Sequence, residues 1–363
     1  IRIDEKRKQA APMKSFTAGP NDAGARLSRF VLNVTQNLPS SVLYKGFRNK
    51  RIKVNGKRAQ ADYRLAEGDV VELYLNDEFF PQAPAKKSPA PRTRQPALTV
   101  IYEDDQIAVL YKPSHLLCHS DRTGDANLVD AFIARQIERG EYDPNGENAF
   151  SPAICNRLDR GTEGLVVAAK TAAALREMNR IIRDNEVHKE YLTITCGVPP
   201  KGRHTAWLRH DERTNKVTVR PAAAEGYKEI ITQVSVERTV GPFALCRIGL
   251  ITGRTHQIRA HLAFLGAPVL GDIKYGSKKM NERTGLRTQA LCAVRLTFAQ
   301  LPETSCLAAL SGAVIELPAP AILVQFEQLA NGAKPTSGSD THKPRRQAPH
   351  RPARKPAGTA GDE

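Results

Sequence analysis

The stretch "NRLDRGTEGL", residues 156–165, sets one carboxylate, Asp159, between Arg157 and Arg160 and follows it with Gly161 and Gly164. Taken alone, an R-x-D run reads as a surface salt bridge or a turn cap, because such pairs are common and weak. Three features point further. The glycines permit close backbone approach. The continuation "GLVVAAK", 164–170, reads as a buried strand. The acid therefore falls on a loop at a sheet end, where binding and catalytic residues concentrate. The third feature lies far along the chain, in "ITGRTHQIRAHL", 251–262.

In that second stretch Thr252-Gly253 closes a strand, and a helix is expected from near Thr255. Thr255 and Arg259 then stand at i, i+4 and share a helical face. Arg259 is the expected partner of Asp159. The plainer reading is a helix N-terminus whose Arg254, His256 and Gln257 are simply solvated. His256 and His261 are at i, i+5, wrong for two ligands on one helical face, and no H-E-x-x-H run occurs, so no metal is expected. Cys155 with His256 would make a nucleophile–base pair. Nothing in the sequence marks that thiol as activated, and such cysteines are usually inert core residues.

The chain has 363 residues, with 54 Lys+Arg against 38 Asp+Glu and a net charge of +16. That length predicts more than one domain. The charge points to a polyanionic partner, RNA or DNA, with a solvated basic surface or charged tails as an equal alternative. The six cysteines, Cys118, Cys155, Cys196, Cys246, Cys292 and Cys306, form no C-x-x-C pair. They read as reduced thiols of a cytoplasmic protein. No apolar run approaches the ~20 residues that span a bilayer. The charged segment Ile1 to Lys14 lacks the apolar region of a signal peptide. A monomer without membrane contact is expected.

Residues 1–15 are expected to be disordered and 16–80 to form a small unit. Leu27, Phe30, Val31 and Val34 recur at helical spacing, predicting a helix over 24–36. Pro39 resets the chain, and Ser40 is expected to cap a second helix over 40–49. In "RIKVNGKR", 51–58, alternation around Asn55-Gly56 predicts a hairpin, and 63–75 adds a turn and a strand. The Pro-rich basic segment 81–97 reads as a linker. From 98 to 330 strands and helices mix: strands over 98–113, 164–170, 190–198 and 244–251, helices over 171–184 and 319–329. On the strand 190–198, Tyr191, Thr193 and Thr195 face away from Leu192, Ile194 and Cys196. Hairpin-like spacing predicts an α+β fold with a mixed, mostly antiparallel sheet flanked by helices, not a doubly wound one. Residues 331–363 read as a disordered basic tail.

Two resemblances follow from these motifs. Residues 24–75, in the order helix, helix, basic turn, V-N-G hairpin, G-D-V strand, resemble an S4 RNA-binding domain. Arg48, Lys50, Arg51 and Lys53, with Lys57 and Arg58, fall within eleven positions there. Such density neutralises several phosphates, although lysines also guard exposed hairpin edges. Residues 98–300 resemble the RluA-type pseudouridine synthases, which often carry an S4 domain. The similarity lies in R-L-D-x-x-T-x-G from Arg157 to Gly164, K-x-Y from Lys189 to Tyr191, T-G-R-T-H-Q-I-R-x-H from Thr252 to His261, and the G-D-x-x-Y-G run ending at Gly276. Asn156 stands where histidine is commoner in that family, and Glu163 where serine is. These departures bear on target preference more than on activity.

The second resemblance implies an isomerase that converts uridine in RNA to pseudouridine, most often in 23S-type large-subunit ribosomal RNA. The N-glycosidic bond is cut, the base turns, and it is rejoined through carbon 5, with no cofactor and no metal. It implies Asp159 as the essential catalytic residue, Arg259 as its ion-pair partner and Tyr191 as the ring stacked on the flipped base. Without the motif, Tyr191 would read as an ordinary cross-strand aromatic. Extruding a base costs a few kcal/mol, and Arg157 is suited to fill the gap, with Arg254 and His256 as further RNA contacts. The alternatives are transfer RNA as the substrate, a non-catalytic S4-type ribosome-assembly factor, and a thiol hydrolase using Cys155.

Overall fold

The computed structural model describes residues 13–80, 96–121 and 124–335. The expectations for residues 1–12, for 81–95 of the linker and for 336–363 of the tail lie outside the described residues.

The first unit runs β1 (Met13–Thr17), α1 (Leu27–Val34), α2 (Ser40–Arg48), β2 (Ile52–Val54), β3 (Lys57–Arg58) and β4 (Val70–Tyr74). Its sheet has the order β1-β4-β2-β3. Leu27, Phe30, Val31 and Val34 form the buried stripe of α1 and join Leu43, Phe47, Ile52, Val71 and Leu73 in a core of their own. Asn55 and Gly56 take φ of 51° and 73°, the two left-handed residues that a tight hairpin needs. Two expectations are corrected. The segment 1–15 is not wholly disordered, because β1 begins at Met13 and pairs antiparallel with β4. Phe16 anchors that strand, its ring 6.3 Å from those of Phe30 and Phe80. Ser40 is not a cap: Pro39 occupies that position, its φ of −64° fixing the extended entry, and Ser40 is the first helical residue.

The second unit opens with β5 (Thr99–Glu103), β6 (Ile107–Lys112), α3 (Leu128–Glu138), β7 (Ala153–Ile154), β8 (Glu163–Ala169) and α4 (Ala172–Arg183). It continues through β9 (Val187–Cys196), β10 (Gly202–Asp211), β11 (Lys216–Arg220), β12 (Lys228–Val240), β13 (Phe243–Leu250), α5 (Gln257–Phe264) and α6 (Lys278–Thr284). It closes with β14 (Leu291–Phe298), β15 (Val314–Glu316) and α7 (Ala321–Ala330). The 11-stranded sheet has the order β11-β10-β12-β13-β9-β14-β8-β6-β5, with β15 on β14 and β7 on β8. Among the described pairs only β14–β8 is parallel, so the sheet is mixed and mostly antiparallel, as the spacing predicts.

Both faces of this sheet are covered, which explains why β9 alternates in polarity yet is buried on either side. Leu192, Ile194 and Cys196 pack with Met178 and Ile181 of α4 and with Ile322 and Phe326 of α7. Tyr191 enters a second core with Leu158, Ile258 and Leu262. Thr193 and Thr195, also fully buried, give their hydroxyl protons to the carbonyls of Ala290 and Gly197 at 2.8 and 2.7 Å. Gly164, Ala293, Tyr191 and Ile248 stand in one row across β8, β14, β9 and β13. Gly164 has φ 117°, and a Cβ there would overlap the Ala293 backbone, so only glycine lets β8 and β14 pair at this point. That row sets the loop before β8 beside Tyr191.

The two units touch through polar groups. Asn148 donates to the Thr17 carbonyl at 2.6 Å and to Asp22 at 2.8 Å, while Asn21 accepts from the first amide of α4, Ala172, at 2.9 Å.

Candidate active site

Asp159 lies on the tight turn between β7 and β8, its carbonyl accepting from the Thr162 amide at 3.0 Å. The loop is fastened to the exit of β6. Lys112 is fully buried, and its ammonium donates to the carbonyls of Pro113 and Leu116 at 2.9 Å and of Arg160 at 3.1 Å. Burial pulls this amine down to about 8. Ser114 donates to the Gly161 carbonyl at 3.1 Å. Nothing in the sequence singles out Lys112, whose role is to satisfy the backbone of two loops.

The expected ion pair is present. Arg259 Nη1 lies 2.8 Å from Asp159 Oδ2. The rest of the guanidinium closes on Asp272, Nε to Oδ2 at 2.6 Å and Nη2 to Oδ1 at 3.0 Å. This bidentate fork is almost fully enclosed, with Arg259 at 5% and Asp272 at 1% exposure. Oδ1 of Asp272 also accepts the amides of Lys274 and Tyr275 at 2.8 and 3.1 Å. Burial alone would raise the Asp272 carboxyl, but Arg259 and those two amides outweigh it and hold it below the usual range. Asp272 is the residue that the sequence reading missed. Its signal is the lone acid of the G-D-x-x-Y-G run, which stays silent until Arg259 is known to be buried.

The arginines that flank Asp159 do not hold it. Arg157 is exposed and pairs with nothing among the described residues, while Arg160 turns to Asp125 at 3.1 Å. Arg254 is exposed as well. The helix begins at Gln257, not near Thr255, and His256 is its cap in a left-handed conformation, φ 55° and ψ 15°. The i, i+4 pairing of Thr255 with Arg259 is therefore lost. The cause is the buried Gln257 side chain. It accepts from Thr252 Oγ1 and the Arg254 amide at 2.9 and 3.1 Å and donates to Ile231 O and Thr232 Oγ1 at 3.1 Å each. Those bonds bend the preceding backbone away from helical geometry.

Tyr191 is 6% exposed. Burial first, and then the negative Asp159, push its phenol well up, so it stays neutral at any working pH. Cys155 packs against the opposite core, and burial pushes its thiol up to about 12. Burial there works against the thiolate that a hydrolase would need. The two departures from the family motifs have structural partners. The Asn156 side chain accepts the Val167 amide at 2.8 Å, and Glu163 accepts from the Tyr111 hydroxyl at 3.1 Å. In the first unit, Arg48, Lys50, Arg51, Lys57 and Arg58 are exposed around the end of α2 and the β2–β3 hairpin, and Lys53 lies 5.0 Å over the Tyr74 ring. Among the described residues no helix is long and apolar enough to cross a membrane.

The arrangement sets one partly exposed acid, Asp159, held by an arginine from a distant helix, next to the core that contains Tyr191. The family model for RNA pseudouridylate synthase matches residues 106–264. An uncharacterized RNA pseudouridine synthase of Mycoplasma pneumoniae is 31% identical over 283 residues, covering 77% of this chain and 86% of that protein. Ribosomal large subunit pseudouridine synthase C of Vibrio vulnificus is 31% identical over 288 residues, covering 76% and 85%. The solved structure of human RNA pseudouridylate synthase domain containing 4 aligns over 56% of this chain and 88% of that one at 24% identity, with a TM-score of 0.44, too distant to bear on the site. The chain belongs to the RNA pseudouridylate synthase family, and it is an enzyme that isomerises uridine in RNA.

Proposed function

We propose that this enzyme modifies large-subunit ribosomal RNA, with Asp159 as its catalytic acid group. The observation that carries the reading is the 2.8 Å contact from Arg259, which holds Asp159 by Oδ2 and leaves Oδ1 without a partner among the described residues. Oδ1 is the oxygen that meets the extruded nucleotide. Tyr191 supplies the ring on which the base stacks. Arg157, exposed and without a partner among the described residues, stacks into the gap that the base leaves, and a guanidinium suits both stacking and phosphate contact. Arg254, exposed just before α5, is a further RNA contact, whereas His256 behind it is buried. The name of the Vibrio vulnificus relative supports the ribosomal target. The test is a map of pseudouridine in large-subunit ribosomal RNA from cells with and without the gene. Loss of at least one site is expected, and an unchanged map with a site lost from transfer RNA would move the target there.

Residues 13–80 serve in this reading as an S4-type RNA-binding domain, with the basic turn and hairpin along the phosphate backbone. Each neutralised phosphate contributes roughly 0.7–0.9 to the slope of log K against log salt. Replacing Arg48, Lys50 and Arg51 together by glutamine is expected to lower that slope by about 2 while the protein stays folded. Filter binding across a salt series measures it, and an unchanged slope would remove this surface from the RNA contact.

A further inference from the structure

Tyr275 closes the turn after Asp272 and lies under Arg259, its ring centroid 5.3 Å from the guanidinium carbon. Its hydroxyl accepts the Val217 amide of β11 at 2.9 Å and stands 3.0 Å from His256 Nδ1. The amide occupies one lone pair. The single hydroxyl proton then has one acceptor in reach among the described residues, Nδ1. A neutral imidazole that accepts at Nδ1 carries its own proton on Nε2. The surroundings favour the neutral ring: burial above all, helped by Arg259 and Lys274 and opposed by Asp159 and Asp272, lowers it to about 4. Nε2 faces Asp159 Oδ2 at 3.9 Å, the same oxygen that Arg259 holds.

We propose that His256 is a positioning residue for Asp159: the Tyr275 hydroxyl fixes it as the Nε2–H tautomer, and with Arg259 it confines Oδ2 so that Oδ1 is presented to the nucleotide. The inference rests on Asp159 being the reacting group. The fixed point is a strand amide at the sheet edge: two hydrogen bonds tie the β10–β11 hairpin to the His256 ring, whose Nε2 then stands 3.9 Å from the acid.

Two substitutions at position 256 separate this role from a backbone role. In His256→Gln the side-chain amide reaches the place of Nε2 but fits the left-handed cap poorly. His256→Asn fits the cap, but its amide sits where Nδ1 was. Positioning predicts that Gln retains more activity than Asn, and a cap role predicts the reverse. Under saturating RNA, kcat is expected to fall about 30-fold in His256→Asn and less than about tenfold in His256→Gln, with KM unchanged in both. Tyr275→Phe, which keeps the ring under Arg259, is expected to lose about tenfold in kcat alone. Asn equal to or better than Gln, or losses confined to KM, would overturn the proposal. An active Asp159→Asn enzyme would overturn the underlying reading as well, whereas an inactive one beside an unfavourable 256 series would overturn this inference only.

Discussion

Asp159→Asn is expected to reduce pseudouridine formation by about 10⁴-fold or more, the scale of losing a group that acts on the reacting atoms, while RNA affinity and the fold persist. The amide has the shape of the carboxylate, so the turn at Thr162 and the packing of Leu158 are undisturbed. Arg259 keeps its two bonds to Asp272 and is not stranded. The pair that is lost is partly open to solvent, with the Asp159 side chain at 26% exposure. The arginine end is 6% exposed, but the asparagine oxygen can still accept from Nη1, so the expected cost is about 1–2 kcal/mol, too little to unfold the protein. What disappears is the charge, without which the group neither attacks the sugar nor takes a proton from it. Release of tritium from carbon 5 of uridine reads turnover, and filter binding reads affinity. Turnover within tenfold of the wild type would remove Asp159 from the chemistry. A loss of RNA binding in step with turnover would make it a binding residue instead.

Local signals carried the reading as far as they reached. The strands 98–113 and 164–170, the helix 171–184 and the Asn55-Gly56 hairpin are each written in a few neighbouring residues, and the structure contains them. So is the alternation on β9, although periodicity could not tell that both of its faces are buried. The Asp159–Arg259 pair joins residues 100 apart in sequence, and it was legible because each end sits in a dense polar run beside a strand. What stayed hidden depends on tertiary enclosure. Asp272 matters only because Arg259 is buried. Lys112 matters only because two loop backbones converge on it. The start of α5 was misplaced by two residues, near Thr255 instead of at Gln257, because a glutamine side chain reaching into β12 outcompetes the next helical turn. No propensity scale contains that partner.

The largest stability effect is expected at Asp272. Asp272→Ala leaves the Arg259 guanidinium buried with two donors unpaired and strips the acceptor from the Lys274 and Tyr275 amides. Breaking a buried ion pair from one side costs about 3–5 kcal/mol. Activity should fall with it, because Arg259 is aimed at Asp159 by its far side. The effect has a defined pH window. The Asp272 carboxyl is held below its ordinary value in the folded state. Its contribution is therefore complete above the unfolded value of about 3.9 and is lost as pH falls through the depressed folded value. Wild type should exceed Asp272→Ala by a constant margin from neutral pH down to about 4 and converge on it below that. Denaturant titrations at several pH values measure the margin. Equal stability at pH 7, or a margin that survives undiminished into strong acid, would show that the Arg259–Asp272 fork does not hold this site together. Asp272→Asn sharpens the reading: it keeps one acceptor for the turn amides while removing the charge, so a loss as large as that of alanine would assign the effect to the ion pair rather than to the turn.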